Sequence, residues 1–332
     1  MALKEIRRTR NEEETQKIFK RELDVLSVMR AKSTKHLIKA IAAYKYEDTA
    51  ACVGAFAFPW AEGSLFHFWK CLSDQHGEAS IIEWMLEQVK GIAEALHELH
   101  QSLSDDTGIE SFPRGDLKPA NILWFSEGDA RDTSLDYLVI SNVGSEEIHQ
   151  DITTNRPRHS LLGTATKLYS APEITTRIFS RWPLSRQYDI WSLGCIIFEF
   201  IIWQLYGTAG LEKFQQASNL KMFHEPGDFT EPRVHRWVDT WASHMRRDPR
   251  CQAAMALRQL LDIVLNKMLL VKPTDRITAD RLAFEVAEIY ENVKKGASLI
   301  YTGHEVNEDM QLPQHKSTIA GYLQRPWGKI RQ

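Results

Sequence analysis

A chain of 332 residues, 43% hydrophobic and 26% charged, carries enough apolar material for a large buried core. Its formal charge of −3 excludes the global basic field that nucleic acid or an anionic membrane surface would require, so neither is expected as a partner. Cys52, Cys71, Cys195 and Cys251 lie too far apart in sequence for a paired zinc-ligand spacing or a dense disulfide framework, which points to a reducing compartment.

The opening MALKEIRRTRNEEE is charged where a secretory signal needs an apolar stretch, so a cytoplasmic protein is expected. Residues 11–31 have helical spacing, with Phe19, Leu23, Leu26 and Met29 or Arg30 on one apolar face. Two strand-like runs follow, Leu37–Tyr46 and Ala50–Phe58, joined by the polar turn Glu47-Asp48-Thr49. Beyond Leu65 the pattern is mostly helical. The run Ile81–His100 is strongly periodic through Ile82, Met85, Val89, Ile92, Leu96 and Leu99. Asn121–Phe125 and Leu135–Ile140 read as a short strand pair, and 188–205, 252–271 and 278–295 as long helices. The apolar run Leu193–Leu205 contains Glu199 and falls short of the roughly 20 residues of a spanning helix, so it reads as a buried core helix. After Gly296 the chain is polar and unpatterned, a loosely attached tail. This order predicts an α+β, two-lobed arrangement with its boundary near Pro59–Gly63.

The strongest local signal is Arg114-Gly-Asp-Leu-Lys-Pro-Ala-Asn-Ile-Leu123, which resembles the catalytic loop of protein kinases. Other segments match the same family in order. Ala2-Leu-Lys4 is similar to the end of the strand that carries the phosphate-holding lysine, and Glu22, 18 residues on, looks like its helix partner. Phe58-Pro-Trp-Ala-Glu-Gly-Ser-Leu65 resembles the hinge. Thr166-Lys-Leu-Tyr-Ser-Ala-Pro-Glu173 resembles the substrate-facing segment, and Tyr188-Asp-Ile-Trp-Ser-Leu-Gly-Cys195 the helix that follows it. Arg276 falls where the family keeps an arginine that pairs with the glutamate corresponding to Glu173. The hinge and catalytic loop are also similar to a kinase group of filamentous fungi.

This resemblance implies ATP-dependent phosphoryl transfer to Ser or Thr of a protein substrate, with ATP and magnesium as cofactors. Asp116 would orient the substrate hydroxyl and Lys118 would reach the transferred phosphoryl group. Lys4 and Glu22 would hold the phosphates, and Pro59, Trp60 and Ala61 would present backbone groups to adenine. Asn121 and Asn142 would face the metal, and Asp189 would bind catalytic-loop backbone. The implied domains are a partial small lobe over 1–58, a large lobe over 59–295 and a tail over 296–332.

Departures from the pattern concentrate on the chemistry. The glycine-rich loop and its flanking strands would lie upstream of Met1, leaving a truncated small lobe with Ala2–Ile6 as an unpaired edge strand. The metal-binding D-F-G position reads Asn142-Val-Gly144, and a neutral amide is a poor ligand for a hard dication, so weak magnesium binding is expected. Asp136 and Asp151 are the alternative carboxylates. Arg114-Gly115 replaces the usual His-Arg, removing a group that reads activation-segment phosphate. A weakened kinase and a pseudokinase acting as a binding or scaffolding module are thus the two expectations.

Overall fold

The computed structural model describes residues 1–8, 11–46, 52–102, 117–126, 136–141, 167–175, 186–216, 222–225, 231–296, 299–300 and 312–314. The smaller lobe is built on strands β1 (Ala2–Arg7), β2 (Ala42–Lys45) and β3 (Cys52–Phe58) in the order β1-β3-β2, all antiparallel. The expected unpaired edge strand is therefore hydrogen-bonded along one side, to β3. Its other side meets no strand among the described residues.

Helix α1 (Glu12–Ala31) starts where Asn11 accepts hydrogen bonds from the Glu13 and Glu14 amides, and three glutamates in its first turn complement the helix dipole. It buries Thr15, Phe19, Glu22, Val25, Leu26 and Met29, and Phe19 stacks on Phe56 of the sheet at 5.0 Å. Leu23, expected on this face, stays 38% exposed. The buried stripe steps from Phe19 to Glu22 and Val25 instead, because Glu22 has a partner waiting on β1.

The run Leu37–Tyr46 does not form one strand. Its first residues leave the small sheet and pair with β6 (Tyr137–Ile140) of the other lobe: Leu37 bridges Ile140, the Ile38 amide donates to Ile140 O, and the Ile140 amide donates to His36 O. His36 adds a 2.8 Å contact from Nδ1 to Leu138 O. Backbone that cannot reach the small sheet is satisfied here on a neighbouring strand. The result is a joint between the lobes.

That joint leaves no room on helix α3, which spans Ala79–Ser102: a Cβ on Gly91 would fall inside the His36 imidazole. Gly91→Ala is expected to cost about 1–3 kcal/mol of stability, as overpacking does. An unchanged urea midpoint would show that the imidazole swings away freely.

The larger lobe opens with β4 (Gly63–Ser64) and α2 (Leu65–Cys71), and β4 joins β5 (Ile122–Phe125) and β6 in one antiparallel sheet. Helix α4 (Gln187–Gln215) runs through the centre and buries nearly every residue from Tyr188 to Leu205. A helix apolar on all sides belongs in a core. It is the one helix among the described residues long and apolar enough to cross a membrane, and 94% of that apolar window is buried inside the protein. Gly207 breaks its geometry with φ 65°, so the expected helix ends near Leu205 and a second segment continues to Gln215.

A small sheet of β7 (His224–Glu225) and β8 (Arg233–Val234) precedes helix α5 (Arg236–Met245). The expected helix over 252–271 begins late. Asp248 accepts from the Arg250 amide and starts a separate 3-10 turn at Pro249–Cys251. Helix α6 then covers Ala256–Ile263 and widens into a π turn, Val264–Met268, closed by Leu269 N donating to Val264 O. Helix α7 (Ala279–Lys295) packs along α3. Among the described residues beyond Gly296, Ile300 is buried, Leu299 and Leu312 pack on the core, and Lys213 Nζ donates to Leu312 O.

Candidate nucleotide-binding cleft

A cleft of about 520 Å³ opens between the two lobes. Its roof is β1 and its back is α1. Lys4 sits opposite Phe56 in the β1–β3 register and so shares the sheet face that α1 covers. Its Nζ lies 2.6 Å from Glu22 Oε1, the lysine side chain 34% exposed and the glutamate 4%. Solvent screening leaves such a half-open pair little net stabilising value, roughly 0–1 kcal/mol. Its effect is positional: Glu22 holds a cation at the cleft wall.

Pro59, Trp60 and Ala61 form the outer wall between β3 and β4, and all three line the cleft. Trp60 is 70% exposed at the lip. The floor is the turn Pro119–Asn121. Asn121 N donates to Lys118 O at 2.8 Å, and Asn121 O accepts from both the amide and hydroxyl of Ser141. Asn121 is therefore pinned to the end of β6, one residue before position 142. Lys118 is half-buried beside it. Asp116, Asn142 and Asp151 lie outside the described residues, as do Arg114 and Gly115.

Asp136 does not join the cleft. It sits at the opposite end of β6 from Ser141, buried, with Oδ2 accepting from Trp124 Nε1 and its carbonyl accepting from Trp84 Nε1. Its role is to satisfy one buried indole, Trp84, and one half-buried indole, Trp124. Asp189, expected to bind catalytic-loop backbone, places Oδ2 at 3.1 Å from His100 Nε2.

Three cleft residues were not singled out by motif, Ile38 of the segment that joins the lobes among them. His67 lines the mouth from α2 without any sequence signal, since it is one exposed histidine on an amphipathic helix. Ser141 was discoverable, because it directly precedes the Asn-Val-Gly segment.

Far below the cleft, Arg276 forms a two-pronged ion pair with Glu173, at 2.7 and 2.8 Å, with both side chains almost fully buried. The protein kinase domain family matches residues 1–285. The chain belongs to the protein kinase family. Its small sheet with one long helix, followed by a mainly helical lobe, is the α+β kinase fold. A stretch of 132 residues is also 31% identical to the probable serine/threonine-protein kinase mps1 of Dictyostelium discoideum. That stretch covers 38% of this kinase-family chain and 11% of the relative's length.

Kinases in general use ATP with magnesium. A nucleotide suits this cleft: the volume lies within the usual range for ligand pockets, Ile38 and Leu123 supply apolar wall, and Lys4 supplies one fixed cation. Magnesium suits it less well. Among the described residues no group of three or more His, Cys, Asp or Glu side chains could hold a metal ion, and the one motif ligand on the floor is the neutral amide Asn121.

Proposed function

We propose that this chain is a nucleotide-binding kinase domain of the serine/threonine type whose phosphoryl transfer is weakened by a poor metal site. The observation that carries the reading is the closed pair Lys4–Glu22 at 2.6 Å inside the interlobe cleft. A lysine so held is pre-positioned for phosphate at no further ordering cost. Bound ATP supplies the phosphoryl group. Pro59, Trp60 and Ala61 offer backbone polar groups to its adenine, and Lys4 holds its phosphates. Asp116 orients the hydroxyl of a Ser or Thr on a protein substrate, and Lys118 neutralises charge that develops during transfer. The small lobe is 1–58, the large lobe 59–295 and the tail 296–332, and the setting is cytoplasmic. Asn142, where the family carries a carboxylate, favours a second reading: a pseudokinase that binds nucleotide or a partner protein without efficient transfer.

The test is a thermal-shift titration with ATP, with and without magnesium. A ligand that binds only the folded state stabilises it by RT ln(1 + [L]/Kd), about 2.7 kcal/mol at a hundredfold excess over Kd. ATP is expected to stabilise the protein weakly and nearly independently of magnesium, and Lys4→Met to remove most of the shift. A strong magnesium-dependent shift at micromolar ATP would contradict the poor metal site. No shift under any condition would remove the nucleotide-binding reading.

A further inference from the structure

The wall of the interlobe cleft is close to electrically neutral, a poor match for a long polyphosphate. Among the described residues it carries one lysine, Lys4, and one carboxylate, Glu22. The two lie 2.6 Å apart, and Glu22 is held behind the lysine with only 4% of its side chain exposed. An ammonium so placed can meet one phosphate, but the pair projects little net field past it. The other hydrogen-bonding side chains on this wall are Ser64, His67, Asn121 and Ser141. Lys118 stands half-buried beside Asn121 and is not part of the wall. The chain as a whole adds no attraction, with a formal charge of −3. In kinases at large, magnesium bridges the terminal phosphates and neutralises them. The donor set for it is poor here. No three His, Cys, Asp or Glu side chains among the described residues could hold a metal ion, and the two motif positions are the amides Asn121 and Asn142.

We propose that the cleft selects nucleotides with a short phosphate chain, nucleoside mono- and diphosphates, over the triphosphate. The inference rests on the nucleotide reading of this cleft and says which nucleotide it favours. The base and sugar meet the apolar wall of Ile38 and Leu123 and the backbone of Pro59, Trp60 and Ala61, contacts that do not depend on phosphate number. The first phosphate gains Lys4, whose position Glu22 has already fixed. Every further phosphate adds negative charge that no cation on the wall meets. It must then lie in the field of Glu22 or turn out into solvent. Affinity therefore rises from the nucleoside to its mono- and diphosphate and falls at the triphosphate. The fall from ADP to ATP is about tenfold at low ionic strength, the size of one unmatched charge contact in a partly solvated cleft. It narrows as salt screens the contact. A cleft of this kind also retains ADP against ATP, which weakens phosphoryl transfer further.

The test is calorimetric titration of the full chain with adenosine, AMP, ADP and ATP, with a chelator present to remove divalent cations. It is run at about pH 8, where an ordinary imidazole is neutral. AMP and ADP are expected to bind more tightly than adenosine, and ADP about tenfold more tightly than ATP. Lys4→Met should erase the advantage of AMP over adenosine. Glu22→Gln keeps the shape of the wall and leaves the lysine uncompensated, so it should narrow the gap between ADP and ATP. ATP binding as tightly as ADP, or more tightly, would overturn the selection. If such a preference for ATP disappeared in Lys118→Met, a second cation reaching the third phosphate would be the reason. AMP binding no better than adenosine would equally overturn it, because Lys4 would then hold no phosphate. Those results leave the nucleotide reading standing, whereas no binding by any of the four ligands would remove that reading and the selection together.

Discussion

Arg276→Leu is expected to destabilise the protein by about 3–5 kcal/mol, enough to unfold many domains. The guanidinium makes two bonds to Glu173, at 2.7 and 2.8 Å, and donates to the carbonyls of Gln187, Leu270 and Val271. It also lies 5.1 Å from the centre of the Trp191 ring. Replacing it strands a buried carboxylate and three carbonyls together. The size of the effect comes from that stranded carboxylate more than from the attraction lost. Two companions separate these contributions. Arg276→Lys should recover little, because an ammonium cannot match the two-pronged geometry or reach all the carbonyls. Glu173→Gln combined with Arg276→Leu should cost less than Arg276→Leu alone. Urea unfolding monitored by tryptophan fluorescence is the measurement, and a cost below about 1 kcal/mol for Arg276→Leu would sink the account.

Asn142→Asp is expected to raise phosphoryl transfer on the order of a hundredfold, equivalent to about 3 kcal/mol of transition-state stabilisation. The substitution adds one negative charge at nearly constant size, at the position where the family holds its metal ligand. The same variant should acquire a magnesium-dependent component in its ATP thermal shift, a readout that needs no turnover. Asp116→Asn in that background should abolish the gained transfer while leaving the nucleotide shift in place. Robust wild-type activity lost on Asp116→Asn would show that two amides suffice at this site. No activity in any variant, with nucleotide still bound, would leave the pseudokinase reading standing.

Much of this was legible without coordinates, for identifiable reasons. The kinase motifs are local strings whose chemistry demands particular residues at particular spacings, so Lys4, Glu22, Glu173 and Arg276 could be paired on paper. The structure brings both pairs together, across 18 and 103 residues of chain. The long amphipathic helix Ala79–Ser102 and the all-apolar core of α4 were equally plain, because a period of 3.6 or a run of apolar side chains survives any tertiary context. Asp136 shows the limit. A carboxylate six residues before Asn142 is the less favoured alternative ligand on paper, since it precedes an apolar strand, and its position between two indoles is visible only in the structure.

The family, the α+β order of elements and the identity of the charged pairs depend on residue type and spacing along the chain, so they could be read from the residues alone. The tertiary structure decided what depends on which surfaces meet. It sent His36–Ile38 to the large-lobe strand and left β2 short, and it replaced Leu23 by Val25 on the buried face of α1. It turned the end of α6 into a π turn. It also placed Glu199, one acid in an apolar run, between Tyr169 and Gln215. Each of these outcomes trades a local preference against backbone or side-chain partners far away in sequence, and that exchange has no periodic trace for a linear reading to find.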